Sequence, residues 1–142
     1  VHFQGSCRAQ LDSGGFQLDH PELLDLPALG RTDVSAGHVL PNVRIYCNEV
    51  RAFVPIVSRT PFAQMYGRAL GRVVVHELYH ALLSTQEHSR TGIARFAQTA
   101  RDLTRDNLAL DARSLSRLRE MYGAKEKEGD SVESPSYEPD LP

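Results

Sequence analysis

The chain has 142 residues, of which 41% are hydrophobic and 24% are charged, and its formal net charge is −2. This length suits one soluble domain with a core of its own. A membrane span is excluded, because no apolar run reaches the roughly 18 residues that a spanning helix needs. The near-neutral charge argues against a nucleic-acid partner, and two cysteines are too few for a disulfide-rich scaffold.

The two ends differ from the middle of the chain. Residues 1–6 read VHFQGS, which we interpret as the remnant of a cleaved purification tag and set aside from the fold. Residues 124–142 hold six acidic and two basic residues with three prolines, a composition that predicts a disordered tail. The sequence therefore predicts one folded domain over residues 7–123.

Cys7 and Cys47 are the only cysteines, and they lie 40 residues apart. They suit one disulfide in an oxidising compartment, which would make the protein secreted or periplasmic. The alternative is a pair of buried free thiols.

The first half of the domain predicts short strands and loops. Residues 8–11 could form a short strand, and residues 30–42 have the composition of a loop. Val43, Ile45 and Cys47 alternate with polar or larger residues, so residues 43–47 predict a half-buried strand. Residues 48–53 could continue this strand or form a helical turn.

A long helix is predicted over residues 60–84. Thr60 at the N-cap and Pro61 at the first helical position are strong start signals. The helix is apolar nearly all round, which predicts a central, buried position. Gly67 and Gly71 share one of its faces and would permit the close approach of another element.

A second helix is predicted near the end of the domain. Asp111 is a good N-cap, the apolar residues Leu115, Leu118 and Tyr122 follow with helical spacing, and Gly123 stands where a helix ends. Residues 92–110 predict a loop with one short helical piece. Together these elements predict a small α+β domain.

The central helix contains His76, Glu77 and His80, which form an HExxH pattern. Residues four apart lie on one helix face, so both imidazoles can reach one metal ion, whereas the glutamate points about 100° away and can act as general base on a metal-bound water. With six histidines and nine glutamates in the chain, chance would produce only about 0.02 such patterns. Two imidazole ligands with an adjacent carboxylate predict Zn²⁺ and hydrolytic chemistry.

A catalytic zinc site needs a third protein ligand and an open position. His88, eight residues after His80, is the favoured candidate, because a reversal of the chain after the helix would return its imidazole to the metal. Glu87, Asp106 and His38 remain open as alternatives.

The stretch HELYHALLSTQEHSRTGIAR resembles the active-site segment of the metzincin metalloproteases, and LDARSLSRLREMYG resembles the end of a matrixin catalytic domain. The resemblance covers about 50 residues. It implies a zincin-like domain with a short, mostly antiparallel sheet, a central active-site helix and a C-terminal helix. It also implies zinc ligands at His76, His80 and His88, a general base at Glu77, and a peptide aligned along the strand that contains Cys47.

Three features depart from the metzincin pattern. Leu83 stands where the family has a turn glycine, the gap between the second and third histidines is eight residues instead of six, and Ala94 stands where the Met-turn methionine is expected. An extra half-turn of helix before the reversal would accommodate the first two. The sequence therefore indicates a short, divergent metzincin-like protein of no particular subfamily.

These features predict a monomeric zinc endopeptidase that hydrolyses peptide or protein substrates. Tyr46, Tyr66 and Arg95 are candidate donors to the oxyanion of the reaction. Two other functions stay open, namely a non-catalytic zinc-binding interaction module and a metal hydrolase that acts on a non-protein substrate.

Overall fold

The computed structural model describes residues 1–9, 28–56 and 60–123. Within them the chain forms a small α+β domain, and its elements are, in order, β1 (His2–Gln4), β2 (Gly30–Ser35), β3 (His38–Tyr46), α1 (Cys47–Phe53), α2 (Phe62–Leu82), α3 (Ala100–Thr104) and α4 (Ala112–Tyr122). The disordered tail predicted over residues 124–142 lies outside the described residues. No helix in the described ranges is long and apolar enough to cross a membrane.

The three strands form a mixed sheet in the order β1-β3-β2. β2 pairs with β3 in antiparallel fashion, and β1 pairs with β3 in parallel. The expectation of a mostly antiparallel sheet is therefore met by only one of the two pairings. We predicted that residues 1–6 take no part in the fold, but residues 2–4 form the parallel strand β1. That this segment is the remnant of a tag stays a prediction.

The prediction of a loop over residues 30–42 is wrong, because these residues form β2, a tight turn and the first half of β3. The turn residues Ala36 and Gly37 both have positive φ, at 48° and 81°. Positive φ at both central residues gives a turn whose twist matches that of the flanking strands, so a two-residue connection closes the hairpin. The strand predicted over residues 8–11 is also absent at Arg8 and Ala9, while residues 10 and 11 lie outside the described part.

The strand predicted over residues 43–47 is confirmed as the second half of β3, with Val43 and Ile45 almost completely buried. Cys47 is equally buried but begins α1, so residues 48–53 take the helical alternative. Cys47 forms a disulfide with Cys7. The bond links the start of α1 to the segment that follows β1.

Helix α2 is the centre of the molecule, and among the described residues its N-terminal half has an exposed face. It begins at Phe62 with Pro61 at the N-cap, one residue later than predicted, and it ends at Leu82. Gly67 and Gly71 face open space, since no described atom lies within 4 Å of the position that a Cβ would occupy on either residue. No element in the described ranges therefore uses the close approach that these glycines would permit. The apolar surface of α2 packs instead against the sheet, α1 and α3, in a core formed by Val43, Ile45, Val50, Val54, Met65, Tyr66, Ala69, Val73 and Leu103.

A buried arginine holds the short helix predicted within residues 92–110, which is observed as α3. The guanidinium of Arg72 on α2 donates hydrogen bonds to the carbonyl oxygens of Asp102 at 2.9 Å and Asp106 at 3.2 Å. These carbonyls lie at the C-terminal end of α3, where a cation interacts favourably with the helix dipole. Burial lowers the pKa of Arg72, and the positive charges of Arg68 and Arg105 lower it further.

The C-terminal helix follows its prediction closely. The side chain of Asp111 at the N-cap accepts a hydrogen bond from the backbone N–H of Ser114 at 2.8 Å. Gly123 caps the other end, although its φ of −82° is right-handed, so its lack of a side chain is not needed there. Leu118 of α4 packs against a second cluster formed by Tyr79, Leu83 and Ala94.

Candidate metal centre

His76 and His80 lie one turn apart on α2 and face each other. Their ring centroids are 4.9 Å apart, and their Nε2 atoms are separated by 3.3 Å. This is the juxtaposition that the spacing of the two residues predicts. The C-terminal half of α2 thus presents two imidazoles side by side.

Backbone carbonyls set the orientation of both rings. Nδ1 of His76 lies 2.8 Å from the carbonyl oxygen of Ile93, and Nδ1 of His80 lies 2.7 Å from that of Thr85. A carbonyl oxygen can only accept, so each Nδ1 carries a hydrogen, and in the neutral form of each ring the lone pair is then on Nε2. Two lone pairs 3.3 Å apart repel each other unless a cation lies between them. A metal ligand with its second ring nitrogen held in this way is a common arrangement in proteins.

His88 joins this pair from the loop that follows α2. Its ring centroid lies 5.3 Å from that of His76 and 4.6 Å from that of His80. One nitrogen from each of the three rings can be chosen so that all lie within 4.8 Å of one another, which makes the group able to hold a metal ion. Burial, together with the nearby His80 and His76, lowers the pKa of His88 to about 4, so the ring is neutral at pH 7 and offers a lone pair.

The three alternatives to His88 as third ligand do not belong to this group of ring nitrogens. Glu87 is exposed and has a carboxylate oxygen 3.6 Å from the guanidinium of Arg117. Asp106 is also exposed and pairs with Arg68 at 2.7 Å. His38 begins β3 at an exposed position. Within the described ranges, the group of side chains that could hold a metal consists of His76, His80 and His88 alone.

The chain reverses after α2 without a glycine. Leu83 retains a nearly helical conformation, and the left-handed residue is Ser84, with φ of 47°. The turn is then closed by a hydrogen bond from the N–H of Thr85 to the carbonyl oxygen of His80 at 3.1 Å. The reversal thus begins one residue beyond the position at which metzincins have their turn glycine.

The loop is fixed to the body of the protein by several contacts. The hydroxyl groups of Ser89 and Ser114 lie 2.7 Å apart, and the N–H of Ile93 donates to the carbonyl oxygen of Ala109 at 2.9 Å. Gly92 has a φ of 73° and passes so close to this carbonyl that an added Cβ would lie 2.6 Å from its oxygen. Ala94, at the expected methionine position, is fully buried in the second cluster. The segment beneath the histidines is therefore packed, although the residue there is small.

Glu77 is buried beside the histidines and contacts β2. Its Oε2 atom accepts a hydrogen bond from the hydroxyl of Thr32 at 2.7 Å, and the same hydroxyl lies 2.9 Å from the backbone carbonyl oxygen of Glu77. Gly30 lies against the Glu77 side chain. Sequence reasoning missed both β2 residues, because it assigned residues 30–42 to a loop and no local pattern marks a partner 45 positions away.

Two cavities meet at this group of residues. One, of about 250 Å³, lies between the β2–β3 hairpin and the loop after α2. The other, of about 430 Å³, is lined mainly by apolar side chains, including Leu29, Phe53 and Phe96. His76, Glu77 and His88 border both cavities. The histidines and the carboxylate therefore lie where a ligand that spans the two cavities would pass.

The edge of the sheet beside the site is formed by β2. The expectation that the strand ending at Cys47 is an edge strand is wrong, since β3 lies between β1 and β2. The proposed oxyanion donors also lie away from the site, because neither cavity is lined by any of them. The hydroxyl of Tyr66 donates to the Cys47 carbonyl oxygen in the core, and Arg95 pairs with Asp102. The third candidate is Tyr46, the last residue of β3.

Comparison of this chain with protein-family models, with curated proteins and with solved structures finds no match.

Proposed function

We propose that the protein is a zinc-dependent endopeptidase with His76, His80 and His88 as metal ligands and Glu77 as general base. The observation that carries this proposal is the convergence of three imidazoles on a point beside a buried carboxylate, between two cavities. Three protein ligands leave the fourth position of a tetrahedral metal open, as catalytic zinc sites require.

The spacing of the donor atoms supports zinc. In a tetrahedral site with Zn–N bonds of about 2.0–2.1 Å, two ligand nitrogens lie roughly 3.3–3.4 Å apart. The Nε2 atoms of His76 and His80 are 3.3 Å apart, and a nitrogen of His88 completes a set of three ring nitrogens within 4.8 Å of one another. Other divalent metals also accept imidazole, so the identity of the metal is part of the test.

Bound zinc would polarise the carbonyl group of a substrate and lower the pKa of a bound water molecule. Glu77 follows His76 directly and borders the same two cavities, so its carboxylate would lie beside the metal without being a ligand. It would accept the proton of the attacking water and pass it to the leaving amine. These two transfers need a carboxylate that is held in place and accessible from the cleft.

A peptide is the substrate that the surroundings fit best. β2 has an edge that no described strand covers, and such an edge offers backbone N–H and C=O groups to an extended chain. The apolar cavity beside the histidines would accept an apolar side chain of that peptide. The disulfide supports a secreted or periplasmic location for the protein.

The test combines metal content with peptide cleavage. The full chain, Glu77→Gln and Glu87→Gln would be incubated with zinc, desalted and analysed by mass spectrometry for metal, then assayed with a library of fluorogenic peptides. Glu87→Gln is the matched control, since it removes the same charge from an exposed residue near the site. We expect one zinc per chain in all three proteins, and a loss of cleavage of at least about 100-fold in Glu77→Gln alone.

Each other result would overturn the proposal in a different way. Stoichiometric zinc without any cleavage would favour a non-catalytic zinc-binding module. Hydrolysis of ester or other non-peptide substrates alone would favour a different metal hydrolase. A protein that takes up no zinc would refute the assignment of the metal.

A further inference from the structure

Strand β2 contacts the general base at two points. Gly30 and Thr32 are two residues apart on the strand, so they lie on the same face of the sheet. A Cβ added to Gly30 would lie 2.8 Å from Cγ of Glu77 and 2.9 Å from a methyl carbon of Val73. The strand therefore packs directly against the methylene groups of Glu77, and no side chain fits between them.

Thr32 contacts the other end of the same side chain. Its hydroxyl donates to Oε2 of Glu77 at 2.7 Å. It also lies 2.9 Å from the backbone carbonyl oxygen of Glu77, but a hydroxyl has one hydrogen to donate. In the part of the chain that the structure describes, this hydroxyl is the hydrogen-bond donor to the carboxylate, and Oε1 receives no bond.

The two contacts together restrict a flexible side chain. A glutamate has three rotatable side-chain bonds, and a free one samples many rotamers. Contact at Cγ and a hydrogen bond at Oε2 restrict the direction in which the carboxylate points. Oε1 lies beside Gly30, 3.1 Å from the position that a Cβ would occupy there. It accepts no hydrogen bond from a described residue, so it is free to accept a proton. A base that is already in position needs less rearrangement to reach the transition state.

We propose that Thr32 is a positioning residue, whose hydroxyl holds the Glu77 carboxylate against β2 so that Oε1 faces the proton it accepts. Gly30 contributes to the same restraint of the Glu77 side chain, because only a glycine lets the strand approach the Glu77 methylenes this closely. This inference rests on the proposed function, since it assigns Thr32 a role through Glu77. It does not depend on the identity of the substrate.

The experiment compares Thr32→Val, Thr32→Ser and Thr104→Val with the wild-type chain. Valine keeps the shape of threonine but removes the hydroxyl, whereas serine keeps the hydroxyl. Thr104→Val is the matched control, because the Thr104 hydroxyl donates at 2.8 Å to the Ala100 carbonyl oxygen on α3, away from the site. Each zinc-loaded protein would be assayed for kcat, KM and bound zinc with the best peptide of the library.

We expect Thr32→Val to lower kcat about 10- to 100-fold, with KM changed less than about twofold and zinc content unchanged. Thr32→Ser should recover most of kcat, and Thr104→Val should lose stability without losing kcat. A merely structural role for Thr32 would instead make the two valine variants behave alike. If Thr32→Val does not fold, Thr32→Ser still tests the hydroxyl through its kcat, and Gly30→Ala tests the other contact of β2 with the Glu77 side chain, which should also lower kcat at constant zinc content.

The outcomes separate this inference from the proposed function. If the wild type cleaves peptides and Glu77→Gln does not, while Thr32→Val retains wild-type kcat, the positioning role is refuted and the endopeptidase stands. If Thr32→Val does not fold, wild-type kcat in Gly30→Ala would refute the claim that contact with β2 positions the Glu77 side chain. A wild type that binds zinc but cleaves no peptide would overturn both.

Discussion

Breaking the Cys7–Cys47 disulfide should lower the free energy of unfolding by about 4 kcal/mol. The two cysteines are 40 residues apart in sequence. For a closed loop of about that length, the chain-entropy relation gives a loss of roughly 13 cal/mol/K in the unfolded state, or about 3.9 kcal/mol at 25 °C. Since domains of this kind are stable by only about 5–15 kcal/mol, the bond would supply a large fraction of the stability.

Urea denaturation of the oxidised protein and of the protein reduced with a phosphine measures this difference. Both samples should be treated with EDTA, because a bound metal adds its own stabilisation of the native state. The reduced wild type is a better reference than Cys47→Ala, since Cys47 is completely buried and its truncation would add the cost of a cavity. A difference below about 1 kcal/mol at equal m-values would refute the entropic argument.

Three further predictions concern the helices and the third ligand. The double substitution Gly67→Ala/Gly71→Ala should raise the free energy of unfolding by up to about 2 kcal/mol, because both glycines are exposed within a helix and have open space for a methyl group. If urea denaturation instead shows a lower free energy of unfolding, this face of the helix is covered. Asp111→Ala should lower the free energy of unfolding by about 1 kcal/mol at pH 7. The hydrogen bond from the Ser114 N–H holds the pKa of Asp111 below its usual value, so its stabilisation is present above the ordinary pKa, and the difference should shrink as the pH falls through the lowered one; a difference constant from pH 7 to pH 3 would contradict this. His88→Ala should weaken zinc binding by at least about 100-fold in a competition titration with a chromogenic chelator, whereas Glu87→Ala should change it less than about threefold; the opposite order would identify Glu87 as the ligand.

The parts of the fold that were predicted correctly depend on neighbours in sequence. The alternation of Val43 and Ile45 and the cap at Asp111 are patterns of two to four residues, and each is found in the structure. The hairpin was missed because its turn is Ala36-Gly37 instead of one of the common asparagine–glycine or aspartate–glycine pairs. A strand in an antiparallel pair needs a partner, and this partner is visible only in the folded chain.

The environment of α2 shows the same limit. Its composition predicted burial on nearly all sides, yet Gly67 and Gly71 face open space, because helical periodicity defines which residues share a face and not what packs against that face. No pattern in the sequence indicates what the buried Arg72 contacts. Its real partners are carbonyl oxygens at the end of α3, about 30 residues further along the chain.

The candidate site also combines residues whose positions the sequence predicts with residues whose positions it does not. The sequence by itself determined that His76 and His80 face one point and that Glu77 lies beside them, because a helix places residues one and four apart at defined angles. Only the tertiary structure decided that the ring of His88 lies beside those of His76 and His80, and that Thr32 contacts the carboxylate. The approach of a loop or of a distant strand depends on the packing of the whole domain, and no local spacing encodes it.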